Sequence, residues 1–245
     1  MAPPISLEWR MPDGRIDSVH LIGGWAQPQA ALEPLAQALG GISVVTTWTL
    51  SDSYAALTRR LSAQWNERTL IVGWSLGGSL AIRRLAAENL KVARLALVAC
   101  NPFFAGDSGW PGVGLELLDG FADDLNSDRV RLLRRFNLLQ TQGAAAARAQ
   151  ARQTLNFASA IESWSEQQLS ASLEWLRSWD LRDELAYLDV PVTHFLGEAD
   201  AIAPVALAQC LQQNYPCHQV EIVGGMSHFP DAEASRFIAE SLQSG

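Results

Sequence analysis

The chain of 245 residues is long enough to bury one large core, and its 48% hydrophobic and 18% charged residues are typical of a globular protein. A formal net charge of -8 argues against general nucleic-acid binding, and no apolar run approaches the roughly 18–20 residues that a membrane span needs. The first residues lack the features of a signal peptide, and three cysteines without metal-ligand spacing indicate reduced thiols. We therefore expect a cytoplasmic monomer that binds neither nucleic acid nor membrane.

Patterns typical of strands and of helices alternate along most of the chain. Short apolar or β-branched runs predict strands over residues 18–22, 42–46, 69–72, 92–99, 191–197 and 219–223. Apolar residues at helical spacing predict helices that include residues 30–39, 53–65, 79–87 and 232–242. This alternation predicts an α/β fold, a mostly parallel sheet with helices on both faces.

The segment Gly73-Trp74-Ser75-Leu76-Gly77 stands between a predicted strand and a predicted helix. A Gly-x-Ser-x-Gly pattern in this position is the nucleophile elbow of α/β-hydrolases. The serine of an elbow lies on a sharp turn, so the residues two before and two after it must be small. The pattern predicts Ser75 as a nucleophile, although the pentapeptide alone also fits an accidental Gly/Ser-rich turn.

Between residues 102 and 189 the strand pattern stops, and leucines recur at helical spacing, as at Leu169, Leu173 and Leu176. In the α/β-hydrolase fold a helical block inserted after a strand forms a lid over the active site. We therefore expect residues 1–101 and 190–245 to form an α/β-hydrolase core, and residues 102–189 to form an inserted helical lid, or cap.

Two late loops supply the other groups that a reactive serine needs, which are a base and a carboxylate that orients the base. Asp200 follows the predicted strand 191–197 and His228 follows the predicted strand 219–223, the chain order of this fold. Ser75, Asp200 and His228 are thus predicted as the catalytic residues, with Glu198 as an alternative acid. The other histidines are predicted to be structural or surface residues: His20, His194 and His218.

The tetrahedral intermediate of such a reaction needs amide donors for its oxyanion. One is predicted to be the amide of Leu76, directly after the nucleophile, and the other the amide of Trp25, in the loop after the first strand of the sheet. Phe136 and Trp74 are candidates for an acyl-binding wall, and core packing is an equally good interpretation of each. No metal or cofactor is expected.

Six arginines and no acidic residue lie between residues 129 and 152, which is a third of the 18 lysines and arginines. Such an arginine cluster could bind an acidic partner or a phosphate. The alternative is a solvated face, or ion pairs with acidic residues just before the cluster: Asp119, Asp123, Asp124 and Asp128.

Several segments together carry a family resemblance: Gly23-Gly24-Trp25, the elbow, Trp110-Pro111-Gly112, residues 135–143, residues 147–152 and the loops of Asp200 and His228. Through them the chain resembles the pimeloyl-[acyl-carrier protein] methyl ester esterases of biotin synthesis. The resemblance implies a serine carboxylesterase that releases methanol through an acyl-enzyme intermediate and takes acyl carrier protein as the partner that bears the substrate. Arginines at matching places contact the carrier in this family, which implies that role for Arg131, Arg135, Arg148 and Arg152.

The sequence departs from this family in two places. Gly23 stands where the family usually has histidine, and residues 46–53 replace a usual Asp-x-Pro-Gly-x-Gly-x-Ser segment. Neither place includes a residue predicted to be catalytic. Alternative functions are a general carboxylesterase for short free acyl esters, a catalytically silent binding protein of the same fold, and haloperoxidase or carbon–carbon bond hydrolase chemistry, which uses the same three residues.

Overall fold

A computed structural model of the chain describes residues 10–11, 14–40, 45–48, 54–62, 64–161 and 164–244. The first elements, β1 (Arg10–Met11) and β2 (Gly14–Arg15), pair antiparallel and were not predicted from the sequence. Residues 42–44 of the second predicted strand, and residues 49–53 of the segment that departs from the family pattern, lie outside the described residues.

The centre of the fold is a parallel sheet with six strands among the described residues. They are β3 (Ser18–Ile22), β4 (Val45–Trp48), β5 (Thr69–Trp74), β6 (Arg94–Val98), β7 (Val192–Gly197) and β8 (Gln219–Val223). Their spatial order is β4-β3-β5-β6-β7-β8, so the chain turns to opposite sides of the sheet after β3 and after β4. In open α/β sheets, ligands bind at the carboxyl ends of the strands that flank such a switch.

Both faces of the sheet are buried, which explains why its inner strands are mostly apolar rather than alternating. Along β5, Leu70 and Val72 pack on one face and Ile71 on the other. The first face contacts α1 (Glu33–Ala38) and α10 (Ala232–Ser244), and the second contacts α2 (Tyr54–Ser62), α3 (Leu76–Glu88) and α9 (Leu207–Asn214). Within the described ranges, no helix is both long and apolar enough to cross a membrane.

The stretch between β6 and β7 contains helices, as the sequence predicts. They are α4 (Leu115–Ser127), α5 (Arg129–Thr141), α6 (Ala147–Ala160), α7 (Glu166–Ser178) and α8 (Arg182–Ala186). A capping box of Ser165 and Gln168 begins α7, because each side chain binds a backbone amide of the other residue. The division into a core of residues 1–101 and 190–245 and a lid of residues 102–189 stays a prediction.

Candidate active site

Ser75 lies on a sharp turn between β5 and α3. Its φ of 54° and ψ of -124° are unusual for a residue other than glycine. The glycines on either side make the turn possible. A Cβ atom on Gly77 would lie 2.2 Å from the carbonyl oxygen of Ile22, and one on Gly73 would lie 2.4 Å from the Cα atom of Gly78. The local sequence therefore places the Ser75 hydroxyl at the carboxyl end of β5, beside the switch in strand order.

His228 connects Ser75 to Asp200 by hydrogen bonds. Its Nε2 atom lies 2.9 Å from Ser75 Oγ, and its Nδ1 atom lies 2.9 Å from Asp200 Oδ2 and 3.1 Å from Asp200 Oδ1. Because a carboxylate only accepts, Nδ1 carries the proton that His228 donates, and Nε2 is free to accept from the serine hydroxyl. All three side chains are buried. The structure thus brings together the three residues that the sequence predicted as catalytic.

The loops around His228 and Asp200 hold both side chains in place. Asp200 Oδ1 accepts the amides of Ile202 at 2.7 Å and Ala203 at 2.9 Å. The indole Nε1 of Trp74 donates to the carbonyl oxygen of His228 at 2.9 Å. Glu198, the alternative acid, is exposed, and its carboxylate accepts the amide of Gly225 at 2.9 Å. The carboxylate that contacts the histidine ring is therefore that of Asp200.

The two predicted oxyanion donors lie on segments that adjoin Ser75. Leu76 is the first residue of α3, where amides have no acceptor within the helix and the helix dipole is positive. The loop after β3 passes beside the serine, since a Cβ atom on Gly24 would lie 3.1 Å from Ser75 Cβ. Trp25 follows it, and its indole donates to the carbonyl oxygen of Leu169 in α7 at 3.0 Å. The use of these amides for an oxyanion stays a prediction.

A narrow apolar cavity opens at Ser75. Among the described residues that line it, all except Ser75 are hydrophobic, and several belong to α4, α5 and α7. One wall is an aromatic cluster, in which the ring of Trp25 lies 4.9 Å from Phe136 and 6.3 Å from Phe121 between centroids. Phe136 therefore lines the cavity at Ser75, and its use as an acyl-binding wall stays a prediction. Trp74 packs instead against Phe229 and His228 on the opposite face of the sheet.

An open groove beside this cavity is lined by arginines of α5 and α6. The arginines are Arg131, Arg134, Arg135 and Arg148. Leu117 and Leu139 line both the groove and the cavity, so the two spaces adjoin. Arg134, which lies on α5 between Arg131 and Arg135, also lines the groove and was not among the predicted site residues. Arg152 is exposed on α6, outside the set of groove-lining residues, and its proposed contact with a carrier stays a prediction.

Some arginines of the cluster form ion pairs with nearby aspartates, as the alternative interpretation expects. Asp124 pairs with both Arg131, at 3.7 Å, and Arg135, at 3.0 Å. Asp119 pairs with Arg177 on α7 instead, and Asp128 accepts the amide of Arg131 at the start of α5. The carboxylate of Asp124 is thus shared by two arginines, which leaves positive charge along the groove.

Two other groups that could have been reactive, the Cys100 thiol and the His194 ring, are buried and do not line the cavity. Burial raises the pKa of the Cys100 thiol to about 12, so the thiol stays protonated at neutral pH. His194 Nε2 lies 3.1 Å from Nδ1 of His218, and burial, together with His218, lowers the pKa of His194 to about 3. His194 and His218 bond to each other, which agrees with the prediction that they are structural or surface residues.

The buried His194 predicts a loss of stability in acid. Since the unfolded chain takes up a proton near pH 6.5 and the folded His194 does so only near pH 3, the free energy of unfolding should fall as pH drops through this interval. The slope from this residue is at most about 1.4 kcal/mol per pH unit. Denaturant unfolding of the wild type and of His194→Asn across the interval measures it. Parallel curves for the two proteins would contradict the prediction.

A parallel sheet with a serine, a histidine and an aspartate hydrogen-bonded at the elbow defines a serine hydrolase of α/β fold. The model of a family described as "Alpha/beta hydrolase family" matches residues 12–240. A pimeloyl-[acyl-carrier protein] methyl ester esterase of Edwardsiella ictaluri is 36% identical over 178 residues, which cover 73% of this chain and 69% of that protein. The chain therefore belongs to the alpha/beta hydrolase family and, within it, to the pimeloyl-[acyl-carrier protein] methyl ester esterases. This confirms the resemblance seen in the sequence.

Further comparisons agree on the fold. An esterase of the same name from Aliivibrio salmonicida is 28% identical and covers 96% of this chain and 92% of its own length. The solved structure of an esterase from Exiguobacterium antarcticum has a TM-score of 0.77 at 19% identity, covering 93% of this chain and 91% of that one. A bromoperoxidase from Bacillus anthracis has the same TM-score at 18% identity, covering 92% and 90%. At these identities the solved structures confirm the predicted α/β-hydrolase fold and nothing about the substrate.

Proposed function

We propose that this protein is a serine carboxylesterase that hydrolyses the methyl ester of pimeloyl-[acyl-carrier protein], with residues 102–189 as the lid over its active site. The observation that carries the proposal is the hydrogen-bonded chain Ser75–His228–Asp200 at the opening of an apolar cavity. The name and activity of the curated relatives supply the substrate class.

The geometry supports a two-step reaction through an acyl-enzyme. Ser75 Oγ attacks the ester carbonyl carbon while His228 Nε2 takes the hydroxyl proton, and the amides of Leu76 and Trp25 stabilise the oxyanion. When the bond to the methoxy group breaks, His228 returns the proton and methanol leaves. A water molecule then attacks the acyl-enzyme carbonyl carbon and gives a proton to His228. His228 passes that proton to Ser75 Oγ as the acyl–Oγ bond breaks and the carboxylic acid leaves. Asp200 keeps the proton on Nδ1 and stabilises the imidazolium in both steps.

The neighbouring groove supports a carrier-linked substrate. The methyl ester must reach the buried Ser75 through an apolar passage. The carrier protein stays outside, joined to the acyl group by its phosphopantetheine arm. The groove adjoins the cavity at Leu117 and Leu139 and presents arginines to the solvent. Arginine binds phosphate in bidentate fashion, and a positive surface speeds the approach of an acidic carrier. Arg134 therefore joins Arg131, Arg135, Arg148 and Arg152 as a proposed carrier-binding residue.

A general carboxylesterase for short free esters is the second candidate. The ion pairs of Arg131 and Arg135 with Asp124 favour it, since they compensate part of the positive charge within the protein itself. Such an enzyme would need the catalytic residues and the cavity, and its rate of ester hydrolysis would not depend on the charge of the groove.

A charge reversal in the groove separates the two candidates. Arg134→Glu combined with Arg148→Glu should lower kcat/KM for the carrier-linked pimeloyl methyl ester by about 10- to 100-fold, because like charges then face the acidic carrier. Hydrolysis of a free pimeloyl ester by the same variant should stay within about twofold of the wild type, because the cavity is unchanged. Methanol release under steady-state conditions measures both rates.

Arg236→Glu provides the control for the type of substitution, since it reverses one exposed arginine on α10, outside the groove. Its carrier-linked activity should match that of the wild type. Equal losses on the free and the carrier-linked ester, or no loss on either, would favour the general carboxylesterase.

A further inference from the structure

We propose that Gln150, on α6, is a positioning residue for His228. This inference rests on the proposed function, because it takes His228 as the base of the reaction. Gln150 lies near the start of α6, the helix that carries Arg148 and Arg152, and it is 5% exposed. Its side chain is bound to residues of the His228 loop that lie on both sides of the histidine.

One amide group makes both contacts. Gln150 Nε2 donates to Asp231 Oδ2 at 2.6 Å, and Gln150 Oε1 accepts from Ser227 Oγ at 3.2 Å. Ser227 directly precedes His228, and Asp231 follows it by three residues. A side-chain amide carries a donor and an acceptor on one planar group, so a single glutamine can bind the Asp231 carboxylate and the Ser227 hydroxyl at the same time.

The partners of Gln150 are fixed in turn. Asp231 Oδ1 accepts the amides of Glu233 and Ala234, each at 3.1 Å, at the start of α10. Ser227 is fully buried, and the amide of Phe229 donates to the carbonyl oxygen of Gln140 in α5 at 3.2 Å. The loop is thus held by α5 and α6 on one side and by α10 on the other.

Loss of the Gln150 contacts should therefore act on the orientation of the imidazole. The His228 ring must keep Nε2 within hydrogen-bond distance of Ser75 and Nδ1 within that of Asp200, and small displacements of a reacting group cost large factors in rate. Gln150 lies outside the cavity lining, so its removal leaves the walls that bind the acyl chain unchanged. The effect belongs in kcat rather than in KM.

The test compares Gln150→Leu with Thr154→Val on the same helix. Thr154 is also buried, and its hydroxyl bonds only to the carbonyl oxygen of Ala151 within α6 among the bonds of the described residues. Gln150→Leu should lower kcat about 10- to 100-fold on free and carrier-linked esters alike, with KM within about twofold, while Thr154→Val keeps the wild-type kcat. A wild-type kcat in folded Gln150→Leu would overturn the inference.

A second pair of variants keeps the test decisive if Gln150→Leu fails to fold. Gln150→Glu places a carboxylate against Asp231 and should lose kcat as Gln150→Leu does. Adding Asp231→Asn restores a donor and an acceptor with exchanged roles, so the double variant should recover kcat to within about threefold of the wild type. A double variant that stays as slow as Gln150→Glu would overturn the inference. A wild-type protein without esterase activity would instead overturn the proposed function.

Discussion

Replacing Ser75 by alanine should lower kcat for ester hydrolysis by at least about 10⁴-fold, toward the residual rate that oxyanion donors and substrate binding give alone. The substitution removes the hydroxyl oxygen that is the proposed nucleophile, which lies 2.9 Å from Nε2 of His228, the proposed base. The rate is measured as methanol release, and a quench experiment with the carrier-linked ester should detect no acyl-enzyme.

The same variant should keep its fold, because the strained turn depends on Gly73 and Gly77 rather than on the Ser75 hydroxyl. Its thermal unfolding midpoint should stay within a few degrees of the wild type. Ser79→Ala is the matched control, since Ser79 is a buried serine on α3 whose hydroxyl lies near the Cys100 thiol and away from His228. Substantial turnover by Ser75→Ala would mean that another group is the nucleophile.

The three residues that the sequence predicted to meet, and that the structure brings into contact, are those with a local physical requirement. The turn at Ser75 needs Gly73 and Gly77 for close backbone approach, and that requirement is visible as a pentapeptide. Asp200 and His228 each follow a strand that the apolar pattern predicts. The carboxyl ends of parallel strands lie at one edge of the sheet, so the two residues lie near each other. Sequence order was therefore enough to predict that these three side chains meet.

Residues whose position depends on packing between distant elements were not predicted. Gln150 has a role only because α6 lies against the loop of residues 227–231, and no local pattern on α6 indicates that contact. Arg134 on α5 lines the groove together with residues of α6, although it was not a predicted site residue. Arg152 on α6 was predicted as one and lies outside that lining. Helix content was predictable in this region, and helix packing was not.

Element boundaries show the same limit on a smaller scale. The helix predicted over residues 30–39 is a 3-10 turn at Gln29–Leu32 followed by α1 from Glu33, with Pro34 in its first turn. Proline has no amide hydrogen and is tolerated at the start of a helix, so it marks a beginning rather than an interior. The β1–β2 pair escaped prediction because two-residue strands carry no periodic pattern.

Replacing Asp200 by asparagine should lower kcat about 10⁴-fold near neutral pH, and the surrounding loop explains why. Asp200 Oδ1 accepts two backbone amides, those of Ile202 and Ala203. An asparagine must keep its oxygen toward these donors, so its NH₂ group faces His228 Nδ1. The imidazole then carries its proton on Nε2, where it cannot accept the proton of Ser75.

Glu198→Gln is the matched control for this experiment. Glu198 holds the amide of Gly225 from an exposed position, and a glutamine oxygen can accept the same hydrogen bond. Its kcat should therefore stay within about threefold of the wild type. If Glu198→Gln lost most of its activity while Asp200→Asn kept it, the acid of the catalytic site would be Glu198. Because both carboxylates lie in one loop after β7, only a paired measurement of this kind separates orientation of the imidazole from support of the loop.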